Sequence, residues 1–543
     1  MAGTIFLLLI SAAFMTWRYL VRRPTAPIID KIPGPAPDTF LRGNLPRFLS
    51  RHGSDFQRHV ALDYGPVSKI HGILGRPILY ISDPKALHHI IIKEEPIFQE
   101  TSAFLKSNML MFGPGLLSTA GDVHRRQRKM LNPAFSTVHM RSMIPIFYQV
   151  VHKLRNAVAK QVKEGSQEVD MLNWMGRTAL ELIGQGGLGY SFDPLTQDMQ
   201  NEYGNALKSW FPNMQKVAML RRFTPLFANM GPAWFRRFVL SLIPIAKIQK
   251  VKELVDTMTA RSHEIFRGKK AALRRGDEEL LRQVGEGRDI MSILIRENSG
   301  TSDTNRLPDE ELIAQMSLLV LAATDTTSNS LSRMLQLLSE HPDVQEKLRQ
   351  ELLEAGAGDG LSYDELDQLP YLDSICRETL RVYPAAPVVI RVATKDTVLP
   401  LSEPIVGTDG TMISEIPISK GMEVIVGILG CNSSKALWGE DALEWKPERW
   451  LSPLPATVTK NTIPGVYSNL MTFIGGKRAC IGFKFSEMEM KVVMSVLLSN
   501  FRFRSTDKPI EWNVGGVRYP TVGKIDNTPQ LPLQVELLKD IKA

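Results

Sequence analysis

The chain has 543 residues, a formal net charge of +8, 22% charged and 43% hydrophobic residues, which suits a large buried core and excludes a disordered chain. Its three cysteines, Cys376, Cys431 and Cys480, exclude a disulfide scaffold and fit a reducing compartment. The positive balance fits a membrane surface or an acidic protein partner, and no nucleic-acid motif is present.

Residues 1–23 read as an N-terminal membrane anchor. The apolar run Ile5 to Trp17 is followed by Arg18, Arg22 and Arg23 and preceded by no basic residue, the reverse of a secretory signal peptide. A span needs about 20 residues, and Arg18, near one end, can snorkel to the interface. The positive-inside rule then puts everything after the anchor in the cytosol. Residues 24–40, with Pro24, Pro27, Pro33, Pro35 and Pro37, read as a stiff non-helical linker, and 41–543 as the body.

Val67 to Ile81 predicts a hairpin around Gly75-Arg76, and Asp83-Pro84 a helix start. Gln99 to Ala120 reads as an apolar loop that either lines a pocket or covers the core. His124 to Lys129 carries four cations on a predicted helix ending near Pro133; a charge run of this kind is most simply a solvated face. Met140 to Lys270 is helical by pattern, interrupted at Pro212, Pro225 and Pro232. Within it, Leu220 to Ile243 mixes four arginines with Phe223, Phe227, Trp234 and Phe235, a composition suited to lipid headgroups. Gly268 to Gly287 reads as an exposed connection.

Pro308 to Ser339 predicts a long helix, with Pro308 and Asp309-Glu310-Glu311 as its start. About 30 residues at 1.5 Å each span roughly 45 Å. Leu318 to Ala323 reads as its buried middle, followed by seven polar residues, Thr324 to Ser330. Polar, poorly helix-forming residues in the centre of a buried helix break a local rule and mark a candidate site. Their hydroxyls, bonding back one turn, are expected to loosen the helix into a small groove.

A further helix is predicted over Tyr363 to Tyr383, carrying Glu378 and Arg381 on one face. Pro384 to Arg391 reads as a stiff turn into a strand, Ile418 to Ile428 as a strand pair around Gly421, and the tail after Arg502 as a small sheet. Between the last two lies Phe473-Ile474-Gly475-Gly476-Lys477-Arg478-Ala479-Cys480-Ile481-Gly482-Phe483. Glycines there permit a tight backbone with amides aimed at one sulfur, and the helix predicted after Gly482 favours a thiolate at its N-terminus, with Arg478 adding a cation.

Phe473-x-x-Gly476-x-Arg478-x-Cys480-x-Gly482 resembles the haem-binding loop of the cytochrome P450 family, in which the cysteine thiolate is the axial iron ligand. Ala322-Ala323-Thr324-Asp325-Thr326-Thr327 is similar to the family's oxygen-binding helix motif, with Ala323 where glycine is usual. Glu378-x-x-Arg381 and Pro447-Glu448-Arg449-Trp450 are similar to its buried charge network. Arg128 matches a propionate-binding arginine four residues after a tryptophan, for which this chain has His124.

The resemblance implies the P450 fold, mainly α with a small β lobe, and heme b ligated by Cys480. It implies propionate contacts from Arg128, His124 and Arg391, further cofactor contacts from Arg478, Phe473, Gly476 and Gly482, a catalytic pair Asp325 and Thr326, a structural network of Glu378, Arg381 and Arg449, and pocket lining by Val388 to Ile390. It further implies O2-dependent oxidation of a lipophilic small molecule, with electrons from NADPH through a cytochrome P450 reductase, and cytochrome b5 as a second partner. The relatives it points to are fungal endoplasmic-reticulum proteins of secondary metabolism, such as terpenoid biosynthesis, or of detoxification. A reductase-independent isomerase or dehydratase and a non-enzymatic haem protein are the alternatives.

Overall fold

The computed structural model describes residues 26–163, 167–195, 202–275, 289–300 and 306–538. The anchor expected over 1–23 lies outside them; among the described residues no helix is long and apolar enough to cross a membrane. The chain is mostly helical with small sheets, and it divides into two compact units, each assembled from separate stretches.

The first unit comprises Met1–Thr101, Val388–Ala442 and Pro455–Arg478. Its five-stranded sheet runs in the order Val67–His71, Pro77–Ile81, Glu423–Gly427, Val388–Ala393, Phe98–Glu100. Pro77–Ile81 and Glu423–Gly427 pair in parallel, the rest antiparallel. The predicted hairpin forms, turned by Leu74 and Gly75 at φ 57° and 70°, and Asp83 caps the next helix by accepting from the Ala86 amide.

Two expectations change here. The linker is not a free spacer: Ile28–Lys31 makes one helical turn, Ile29 and Ile32 are buried, and the Lys69 amide donates to the Pro33 carbonyl at 2.8 Å. Two isoleucines set among prolines supply apolar surface to a helical turn that packs on the strand Met412–Ile418. Nor do the strands around Gly421 pair with each other. Gly421, at φ 86°, sends Glu423–Gly427 into the five-stranded sheet and leaves Met412–Ile418 to pair with Thr397–Val406.

The second unit comprises Ser102–Pro387, Leu443–Leu454 and Ala479–Ala543. Asp309–Glu340 is its central helix, started by Pro308 and three acidic residues as predicted. It packs on Met171–Leu182, on the C-terminal helix Phe483–Asn500 and on the strand Phe501–Ser505. Phe483–Asn500 in turn packs on Thr137–Lys163, where Phe147 meets Phe485 edge-on at 5.0 Å. The tail forms a hairpin, Ile510–Val514 with Arg518–Val522, and a strand, Pro532–Leu537, that pairs with Phe501–Ser505 and Glu168–Asp170. The β structure is thus shared between both units.

Ser102–Phe112, expected to be loop, is a helix. Apolar side chains on all its sides leave no periodicity to read, while Leu, Met and Lys favour helix intrinsically. The connection expected over Gly268 to Gly287 is helical to Arg275. Lys269 is buried there, and donates to Asp289 and to the Leu188 carbonyl, both at 2.8 Å; a charge run is exposed only where no partner draws it inward.

Candidate functional site

The cysteine loop is shaped by two close approaches. Gly476 sits at φ 67°, and a Cβ there would lie 2.5 Å from the Ile91 carbonyl oxygen. A Cβ on Gly475 would lie 2.4 Å from the Pro464 carbonyl oxygen. Gly482 is different: at φ −93° it is the N-cap of Phe483–Asn500, and its amide bonds to the Cys480 sulfur. Phe473 stacks edge-on against Tyr467 at 5.7 Å.

Cys480 is deep in the protein yet accessible, the combination expected of a side chain facing an internal space. Burial pushes its thiol pKa up, while the Gly482 amide and Arg128 pull it down. Arg128 is held beside it by donation from Nη1 to the Ala479 carbonyl at 2.6 Å. The cation predicted for this role, Arg478, acts instead on Glu100.

The cation run divides by helix face. On Gly121–Leu131, His124, Gln127 and Leu131 are buried, and Arg125 and Lys129 are exposed. Arg126 and Gln127 both donate to Glu311 in the first turn of the long helix, at 2.9 and 2.7 Å. The solvated face is therefore narrower than the run suggests.

The long helix runs unbroken through its polar stretch, so the expected loosening is not present. The side chains bond back one turn instead: Thr326 Oγ1 to the Ala322 carbonyl at 2.6 Å, Asn329 Nδ2 to the Asp325 carbonyl at 2.7 Å, and Ser330 Oγ to the Thr326 carbonyl at 2.9 Å. The middle is also not uniformly buried. Leu318, Val320 and Leu321 are buried, Leu319, Ala323 and Thr326 half-buried, and Ala322 exposed. Positions 319, 322, 323 and 326 share one helix face, so an otherwise buried helix presents an open stripe of mainly small residues. Thr327, next along, meets Ser486 of the cysteine-proximal helix, hydroxyl to hydroxyl at 3.1 Å.

Asp325 points the other way. It lines a cavity of about 330 Å³ with Arg177, Asp193, Asn205, Lys208, Thr324 and Asn329. Burial pushes its carboxyl pKa up to about 8, because the charged form loses hydration in the interior. Across the cavity Arg177 donates to Asp193 at 2.6 and 3.0 Å.

Arg391, buried, donates to Glu100 at 2.9 Å, the residue directly opposite it across the paired strands. Burial raises the Glu100 pKa against the pull of Arg391 and Arg478. Glu100 was not legible in the sequence, since its partner is 291 residues away.

The predicted charge network is assembled. Glu378 and Arg381 have no exposed side-chain surface and form a two-pronged pair, both bonds 2.8 Å. Glu378 also accepts from Arg449 at 3.3 Å, from the Lys446 amide at 3.0 Å and from the Trp450 indole at 3.0 Å. Four donors on one carboxylate are what a dry ion requires. Trp450 was missed as a donor; its indole N–H was the available signal.

An accessible cysteine in a buried, glycine-shaped loop, with an arginine beside it and a small-residue stripe on the neighbouring helix, fits a flat prosthetic group held through sulfur. Comparison with known proteins agrees. The cytochrome P450 family model matches residues 33–520. Cytochrome P450 monooxygenase 81 of Postia placenta is 60% identical over 98% of this chain and 97% of its own length. The ganoderic acid synthetase CYP5150L8 of Ganoderma lucidum is 49% identical over 97% of each, and a P450 monooxygenase of Hericium erinaceus, eriI, is 39% identical over 95% of each. The chain belongs to the cytochrome P450 family, whose members carry a cysteine-ligated haem, and is a monooxygenase of that family.

Proposed function

We propose that the protein inserts one oxygen atom from O2 into a lipophilic small molecule of the terpenoid class, with Cys480 as the haem ligand. The observation that carries this reading is the pairing of an accessible buried Cys480 with the open stripe 319, 322, 323, 326 on the adjoining helix. The terpenoid class is supported by the name of the Ganoderma relative. When bound, the haem supplies the oxygen-activating redox chemistry, for which a thiolate ligand is suited.

The chain's own residues do the rest. Arg128 holds the loop and supplies positive charge beside the ligand. With His124, on the same helix, it is a donor set for a propionate, and Gly482 shapes the backbone next to the ligand. Asp325, kept neutral by burial, carries a proton at a carboxyl oxygen, and its polar cavity connects that proton to exchange. Thr326, on the open stripe, holds a hydroxyl where a small polar ligand can be oriented.

Electrons come from NADPH through a membrane-bound reductase docked on exposed cations such as Lys129, with cytochrome b5 as a further donor. The chain is anchored in the endoplasmic reticulum membrane by residues 1–23 with its body cytosolic. Exposed Leu226, Phe227, Trp234 and Leu242 support a second contact with that membrane.

The test is spectroscopic. Reduced protein with CO should show the absorption band diagnostic of thiolate ligation, and Cys480→Ser should lose it while folding normally. A variant that kept the band would remove Cys480 from the ligand role. Coupled NADPH consumption and product formation with a reductase would then separate oxygen insertion from reductase-independent chemistry.

A further inference from the structure

Tyr203 to Lys252 is a run of 50 residues holding nine lysines and arginines and no aspartate or glutamate. Most of these cations are satisfied from elsewhere or locally. Lys208 lies 3.8 Å from Asp170, Lys250 pairs with Glu253 at 2.7 Å, Arg237 pairs with Asp256, and Arg236 donates to the Gly231 carbonyl at 2.7 Å.

Arg221 stands apart. It ends the short helix Ala218–Arg221, its Nε is closed off from solvent without an acceptor, and among the described residues its guanidinium makes no hydrogen bond or ion pair. Burial lowers its pKa with no anion to oppose the effect. Other shielded arginines of the same unit, Arg177, Arg126 and Arg381, each have a carboxylate within 3 Å. Shielding a guanidinium without an anion is costly, and a cost left uncompensated within the fold is the signature of a group that meets its partner from outside.

The surroundings specify that partner. Leu220, Phe223, Leu226 and Phe227 around Arg221 are 48%, 45%, 70% and 58% exposed. The helix Ala218–Arg221 packs on Ser102–Phe112, and Ser107 donates to the Thr224 hydroxyl at 3.2 Å. The loop after Ser102–Phe112 reaches the long helix: the Leu116 amide donates to Gln315 at 3.1 Å, about three turns before the Asp325-Thr326 pair. Arg221 thus stands in an apolar, acid-free collar one packed layer from the catalytic helix.

We propose that Arg221 is a specificity-determining residue that receives the oxyanion of an amphipathic lipid, a carboxylate or phosphate on an apolar body. A guanidinium matches both groups with two parallel hydrogen bonds. The proposal rests on the lipophilic-substrate reading above and deepens it: an acidic terpenoid or fatty acid is selected over its neutral analogue. A membrane phospholipid offers the same head chemistry.

Full-length, haem-loaded protein in phosphatidylcholine nanodiscs is titrated by calorimetry with cholanic acid and methyl cholanate, and with oleic acid and methyl oleate. The parent should bind each acid about tenfold more tightly than its ester. Arg221→Gln should abolish that preference without weakening the esters, and Arg221→Lys should keep part of it. If the oxyanion comes from the bilayer, phosphatidic acid added to the discs should suppress the parent's preference for acids, and Arg221→Gln should lower binding to phosphatidic acid vesicles. An Arg221→Gln protein that matches the parent towards both acids and vesicles overturns the proposal. The CO spectrum checks folding of each variant. Since calorimetry and vesicle binding require no turnover, a failure of the oxygenase reading shows itself separately.

Discussion

At the scale of single residues the most consequential group is Asp325. Its pKa of about 8 lies above the ordinary carboxylate range, so it ionises more readily in the unfolded chain than in the folded one. Between about pH 4 and 8 the unfolded chain therefore binds fewer protons, and stability falls with rising pH by up to about 1.4 kcal/mol per unit. Asp325→Asn removes this dependence. Scanning calorimetry from pH 4 to 9 should show the variant matching the parent at the acid end and melting at higher temperature at the alkaline end, while substrate oxidation falls. Parallel pH profiles would mean that Asp325 is ionised in the folded protein.

At the scale of elements the central joint is the Glu378 carboxylate, which binds the helix Pro370–Val382 to the turn Pro447–Leu451. Arg381, Arg449, Lys446 and Trp450 all converge on it. Glu378→Gln keeps the volume but leaves two dry guanidiniums without their anion. The expected loss is about 3–5 kcal/mol, read as a drop in urea midpoint and in the fraction of chain that retains haem. Trp450→Phe, which removes one donor only, should cost about 1 kcal/mol. Near-equal losses for the two variants would show that Glu378 is not the shared centre.

The element scale also shows how the site came to be readable. Asp325-Thr326, Glu378-x-x-Arg381 and the loop around Cys480 are short motifs whose members lie on one helix or one turn, so their resemblance to the family's motifs could be read from local spacing. Glu100 and Arg391 meet only because two strands far apart in sequence are neighbours in a sheet. The open stripe on the long helix had no signature, because Ala322 and Ala323 look as core-like as Leu318 and Leu321; only their greater exposure separates the two sets.

At the scale of the whole molecule the exposed apolar surface between Leu220 and Ile245 is the feature that the proposed membrane contact would cover. Leu226 and Trp234 are each 70% exposed and Leu242 65%, and an apolar surface of this kind favours an interface by roughly 25 cal/mol per Å² transferred. A chain lacking residues 1–23 should remain with phosphatidylcholine vesicles on flotation. Replacing Leu226, Trp234, Phe238 and Leu242 together by serine should release it. If the serine variant floats as well as its parent, this surface does not contact the membrane.

The sequence by itself determined the family, through the resemblance its short motifs carry. Cys480 in its glycine-shaped loop, the acid-alcohol pair in a helix centre and the Glu-x-x-Arg pair are local patterns, set by backbone geometry and helix periodicity over a few residues. The tertiary structure alone decided what those groups feel: Arg128 in place of Arg478 beside the sulfur, Glu100 across from Arg391, and burial around Asp325. Electrostatic environment depends on distance through space and on how much water is excluded, and neither is a property of position along the chain.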